Sequence, residues 1–232
     1  MQTKRNLLVF SLAAILSLSV VAMGELPQAV ADKDHDDDHE KKLKFKKKAD
    51  FTAECGQTMN APEGVDWDCK ASFWLDKNGE NLKYKIQIDN MDLTGFQTPA
   101  DTSDDVSALH LHDAALGDGT TGPHVLNVWK APIEDDAQMK VIPALGIIKG
   151  IYDDGDVTPH DAGVHHGESL PLTDNLGDLC NGKFYVMVHN GPGVLKGFAE
   201  PTSQGEKLCK KLDKKGLLDG GMSESHEDPH HG

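Results

Sequence analysis

The stretch from Leu109 to Val125, LHLHDAALGDGTTGPHV, holds three histidines, His110, His112 and His124, among small and turn-forming residues. A fourth, His189, closes the apolar run FYVMVH. In a strand, residues i and i+2 point to one side, so His110 and His112 project together with Cβ atoms about 6–7 Å apart. Leu111 then faces the opposite way, into a core. Val186 and Val188 share a face, which puts His189 on the other with Tyr185 and Met187. If FYVMVH runs beside the His-x-His strand, three imidazoles converge. Three neutral imidazoles suit copper, zinc or iron, and the divalent affinity order favours copper. A lone strand histidine is more often a surface or hydrogen-bonded residue; the pair with its later partners is what points to ligands. Asp113 is either a carboxylate holding a histidine's free ring nitrogen or an acid of a surface turn.

The elements that must position these residues read as β. Phe51–Cys55 and Trp67–Leu75 are short strands, and Asp76-Lys77-Asn78-Gly79 carries the Asn-Gly signal of a hairpin turn. Leu82–Ile88, LKYKIQI, alternates strictly, as a half-buried strand does. Ala108–His112, Val125–Trp129, Gly146–Tyr152, Phe184–His189 and Val194–Phe198 complete the set. Short strands between Gly, Pro, Asn and Asp turns predict an all-β sandwich. One short helix is expected at Leu208–Leu218, outside the sandwich. Two long connections, Asp92–Ser107 and Asp153–Leu179, interrupt the pattern, and the second carries His160, His165 and His166 as weaker metal candidates.

Lys4 and Arg5, the apolar run Leu7–Met23 and the sequence Ala29-Val30-Ala31 predict a secretory signal peptide over 1–31, the alternative being an uncleaved anchor. Its loss removes Lys4, Arg5 and Glu25, two cations and one anion, and takes the formal charge from −15 to −16. Arg5 is the sole arginine, so the mature chain has none. That excludes the basic face and guanidinium forks of nucleic-acid or phosphate recognition. A surface this acidic favours cations. Cys55, Cys69, Cys180 and Cys209 make an even set that reads as two disulfides in an exported chain. Of three pairings, sequence proximity favours Cys55–Cys69 with Cys180–Cys209. Residues 32–49, DKDHDDDHEKKLKFKKKA, lack apolar periodicity and read as a charged disordered arm. Residues 201–232 form a C-terminal extension with a histidine-rich tail, His226, His230 and His231. The expected location is periplasmic or extracellular.

The order F-T-A-E-C, LDKNGENLKYKIQIDNM, ALHLHDAALGDGTTGP, GIIKGIY, LCNGKFYVMVHN and GVLKG resembles the chordin-type (CHRD) domain over about residues 50–200. The resemblance implies an immunoglobulin-like Greek-key β-sandwich with long loops, here between disordered termini. His110, His112 and His189 fall on the family's His-x-His strand and its closing Y-V-x-V-H, and Lys196 stands where the family often has arginine. In animals the domain belongs to a secreted antagonist of growth factors. A second, local likeness is to copper/zinc superoxide dismutase, whose histidine order is His-x-His, Gly-Pro-His and a late Val-x-His. That likeness implies copper on His110, His112 and His189, and gives His124 the bridging place. No compact zinc loop follows His124, and the guiding arginine of that enzyme has no counterpart except Lys196.

Three functions compete. A redox enzyme would disproportionate superoxide at copper, with His124 as proton donor or bridge and Lys196 attracting the anion. A metal store or carrier would use the same ligands without turnover. A binding module would use the histidines to shape a loop. Hydrolase chemistry draws no support from a nucleophile elbow, since no G-x-S-x-G is present. The implied partners are metal ions and superoxide, without nucleic acid or stable membrane insertion, and a homo-oligomer is left open.

Overall fold

The computed structural model describes residues 44–94, 100–129, 138–156, 169–191 and 193–218. The strands are β1 (Phe51–Gln57), β2 (Asp68–Leu75), β3 (Asn81–Asp89), β4 (Ala108–Asp113), β5 (His124–Trp129), β6 (Lys140–Ile142), β7 (Ile147–Asp153), β8 (Phe184–His189), β9 (Leu195–Phe198) and β10 (Glu200–Pro201). Two helices join them, α1 (Leu176–Cys180) and α2 (Ser203–Asp213). Neighbours follow the order β5-β4-β8-β9-β1-β2-β3-β7-β6, with β10 also on β1. Every pairing between these strands is antiparallel.

β1 is the joint. Its Phe51–Cys55 portion pairs with β2, whereas Gly56 and Gln57 pair with β9. The sheet therefore curls, and its two halves share one apolar core, giving an all-β, sandwich-like fold. Phe73, Leu75, Tyr84, Ile86 and Ile148 come from one half, and Leu109, Leu111, Val186 and Val188 from the other. β3 shows why: its residues alternate between half-buried and buried along the whole strand, the signature of one wet and one dry face. The β2–β3 hairpin turns through Asn78 and Gly79, with Asp76 Oδ1 accepting from the Asn78 and Glu80 amides at 2.9 and 3.1 Å.

Both disulfides form as sequence proximity suggests, Cys55–Cys69 across β1 and β2 and Cys180–Cys209 between α1 and α2. The helix expected at Leu208–Leu218 starts earlier, at Ser203. Thr202, just after Pro201, caps it by accepting from the Gln204 and Gly205 amides. It does not stand apart from the core either, because Cys209 and Leu212 are part of it. β6, β10 and α1 were not anticipated; runs of two to five residues carry too little periodicity to be read. Among the described residues no helix is long and apolar enough to cross a membrane. The expected signal peptide, residues 32–43 of the charged arm and the tail beyond 218 lie outside the described residues; in the described end of the arm Phe45 packs on Trp74 with ring centroids 4.7 Å apart.

Candidate metal centre

β8 lies beside β4, as the histidine spacing requires. Ala108 opposes His189, His110 opposes Met187, and His112 opposes Tyr185. The far side of β4 is β5, whose first residue, His124, opposes His112. The β4–β5 register shifts between Leu109 and His110 and again between Leu111 and His112. Irregularities of this kind re-aim side chains next to functional sites.

Four imidazoles meet on this face. The His110 ring centroid is 3.8 Å from that of His124, 4.9 Å from His189 and 5.8 Å from His112. His112 and His124 are 4.4 Å apart. One ligand nitrogen from each of His110, His112 and His189 lies within 4.8 Å of the others, and His124 is not in that trio. His110 and His112 are 5% and 7% exposed.

The second ring nitrogen decides what each imidazole can do. His112 Nδ1 donates to Gly122 O at 3.0 Å, which leaves Nε2 buried with no hydrogen-bond partner. His189 Nε2 is likewise buried with no hydrogen-bond partner, and its ring makes a hydrogen bond with the Gly191 backbone. A backbone bond on one nitrogen fixes the tautomer and aims the other. Burial pushes His112 down to about 3, against the opposing Gly122 bond and with help from the surrounding histidines. Burial also lowers His189, again opposed by its backbone bond. Both rings are thus neutral at physiological pH, the form that binds metals.

The sequence reading missed several supports. Tyr185 stacks on His112 with centroids 4.7 Å apart and planes 9° apart. Its hydroxyl accepts from the Gly122 amide at 3.2 Å. Gly122 is thereby clamped from both sides, and a Cβ there would stand 1.6 Å from Asp113 O. Asn127 Oδ1 accepts from His124 Nδ1 at 2.9 Å, and the Asn127 amide donates to Ser169 Oγ at 3.0 Å. The three-residue spacing from His124 to Asn127 was visible but unassigned.

Lys196 holds its ammonium 4.0 Å from the Tyr185 ring centre and 4.9 Å from that of Phe198, and donates to Thr120 O. Asp113 does not hold a histidine, nor is it a surface acid. Strand alternation puts it on the side of Leu111, fully buried, accepting from the Ala115 amide at 2.8 Å. Burial raises its carboxyl to about 6, with Asp178 adding to the rise and the Ala115 bond and Lys183 opposing it. His160, His165 and His166 lie outside the described residues. So do His226 and His230, which stand at the ends of His-Glu-Asp-Pro-His, an H-E-x-x-H spacing in the sequence.

The CHRD domain model matches residues 56–193. The chain belongs to the CHRD domain family. No curated protein and no solved structure gives a significant match. The matched CHRD segment contains all four clustered histidines, Tyr185 and Met187. Lys196 and α2 with its disulfide to α1 follow that segment.

Proposed function

We propose that this CHRD protein is an exported copper protein that disproportionates superoxide to oxygen and hydrogen peroxide. The observation that carries the reading is the pair of buried Nε2 atoms on His112 and His189, which lack hydrogen-bond partners and sit beside His110. An unmet buried polar atom costs about 1–3 kcal/mol, so two together call for an occupant. Nitrogens about 2 Å from a shared ion fit this trio after the rings close by about 1 Å. Copper leads, with zinc and iron as alternatives, because uncharged imidazoles follow the divalent affinity order.

Bound copper would supply the one-electron chemistry, taking an electron from one superoxide and giving it to a second. The chain's own residues do the rest. Tyr185 and Gly122 hold His112 in one tautomer. His124 keeps Nδ1–H on Asn127, which makes Nε2 the ring nitrogen that can take up a proton from water and pass it on beside His110 and His112. Lys196 supplies positive charge at the rim of a strongly acidic chain. Export is supported by the leader-like run Leu7–Met23 and by two disulfides, which persist in oxidising compartments.

A copper store or carrier is the second reading. It is favoured by the engagement of Lys196 with Thr120 O and two ring faces, which weakens its use as an anion guide.

The test is metal content by mass spectrometry on protein from its native envelope, beside the His110→Ala/His112→Ala variant. About one copper per chain, lost in the variant, together with superoxide turnover supports the enzyme. Copper without turnover supports the carrier. No metal, or equal metal in both proteins, sinks the site and leaves a binding module.

A further inference from the structure

Met187 sits in the middle of the histidine face. It shares that face of β8 with Tyr185 and His189 by strand alternation, and it stands directly opposite His110 in the β4–β8 register. Residues opposed in this way bring their Cβ atoms to about 4.5–5.5 Å. The space on the other side of Met187 is bounded by Gly193, whose φ of +93° suits glycine. A Cβ there would stand 3.1 Å from Met187 Sδ and 3.4 Å from both Nδ1 and Cε1 of His189. Sδ and the Nδ1–Cε1 edge of His189 therefore border one small space beside Gly193, and the thioether meets Nε2 of His189 by turning about its own flexible side chain. Met187 is half-buried, unlike the fully buried Val186 and Val188 that flank it on the core side.

The chemistry of a thioether differs from that of an imidazole. It is neutral at every pH, soft and polarisable, and it selects Cu(I) over harder divalent ions. All four cysteines are bridged, so no thiolate competes for that role. We propose that Met187 is a fourth donor that makes the His110–His112–His189 site selective for Cu(I) over Zn(II). The proposal rests on the copper reading above and sharpens it: the thioether favours copper over zinc at this site without barring its return to Cu(II).

The experiment uses the full mature chain as wild type, Met187→Leu and His110→Ala. Leucine keeps the volume and apolar character of methionine, so the sandwich tolerates the change. Each protein is titrated anaerobically with Cu(I) against a chromogenic Cu(I) chelator, and separately with Zn(II). Met187→Leu is expected to weaken Cu(I) roughly tenfold or more while zinc affinity stays within about twofold. X-ray absorption of the Cu(I)-loaded wild type should show a sulfur scatterer that the variant lacks. Unchanged Cu(I) affinity in Met187→Leu, an equal loss for both metals, or no sulfur scatterer overturns the proposal. If His110→Ala abolishes copper binding while Met187→Leu does not alter it, the thioether role fails and the histidine site stands. If the wild type binds no Cu(I), both fail.

Discussion

The β2–β3–β7 half of the sheet and the β4–β8–β5 half are built from the same antiparallel pairings but solve different problems. In β2, β3 and β7 every second residue is buried and the rest face water. In β4 all six residues are buried. One face of β4 packs Leu109 and Leu111 into the core. The other hides two imidazoles beneath the turn that carries Gly122. The first half spends its dry face on packing alone. The second covers polar nitrogens whose partners are only partly supplied. Burial on both faces of a strand, where one face is polar, marks a place where stability has been exchanged for a poised site.

Three substitutions, in falling order of expected effect, and one pH series test that contrast. Phe73→Ala, in the packing half, is expected to cost about 3–5 kcal/mol in a urea titration. A smaller loss would mean that the core does not run continuously between the halves. Gly122→Ala drives a Cβ into Asp113 O, and about 1–3 kcal/mol should be lost as the turn shifts. Metal affinity should fall with it, because His112 Nδ1 loses its fixed acceptor; unchanged affinity would break the link between turn and ligand.

His112→Leu removes the partnerless Nε2 but also the Nδ1–H that Gly122 O accepts, so the metal-free protein is expected to change by less than about 1 kcal/mol. A larger measured loss would show that the imidazole is satisfied in solution. The corresponding apolar-to-apolar change in the other half, Ile86→Leu, should be neutral or mildly destabilising.

The pH series adds an effect that grows as the medium is acidified. His112 titrates at 6.5 when unfolded and is held near 3 in the fold. Below 6.5 the unfolded chain therefore binds the extra proton. Its contribution is fully present above 6.5 and is lost as pH falls towards 3, with a slope of at most about 1.4 kcal/mol per pH unit. Asp113 acts in the opposite sense, since its raised carboxyl favours the fold at low pH. The difference between wild type and His112→Gln in metal-free protein isolates the histidine. A difference that is flat between pH 6.5 and 4 would show that burial does not hold the ring neutral.

The main strands of both halves were legible in the sequence to within one or two residues. Leu82–Ile88 is extended by one residue at each end, because strict alternation reports directly on one-sided burial. Phe184–His189 matches residue for residue. The face shared by His110, His112 and His189 also followed from period two, but only after supposing that β8 lies beside β4. That neighbourhood joins residues some 70 to 80 positions apart and has no local signal. The supports were harder still. Asn127, Tyr185 and Gly122 act through turns and cross-strand contacts, and a stacked tyrosine looks like any core aromatic in one dimension. The helix expected at Leu208–Leu218 runs from Ser203 to Asp213 instead, because its start is set by the Thr202 cap after Pro201 and not by the leucines.

β1 has a consequence in time as well as in space. It pairs early with β2, its neighbour in the chain, but its last two residues wait for β9, which is made some 140 residues later. The His-x-His strand waits in the same way for β8. A nascent chain that has emerged only as far as Asn181 already carries His110, His112 and His124, but the strand that brings His189 beside them does not yet exist. The centre therefore closes late in folding. Metal that meets the growing polypeptide finds loose histidines, and only the finished chain can offer the assembled face.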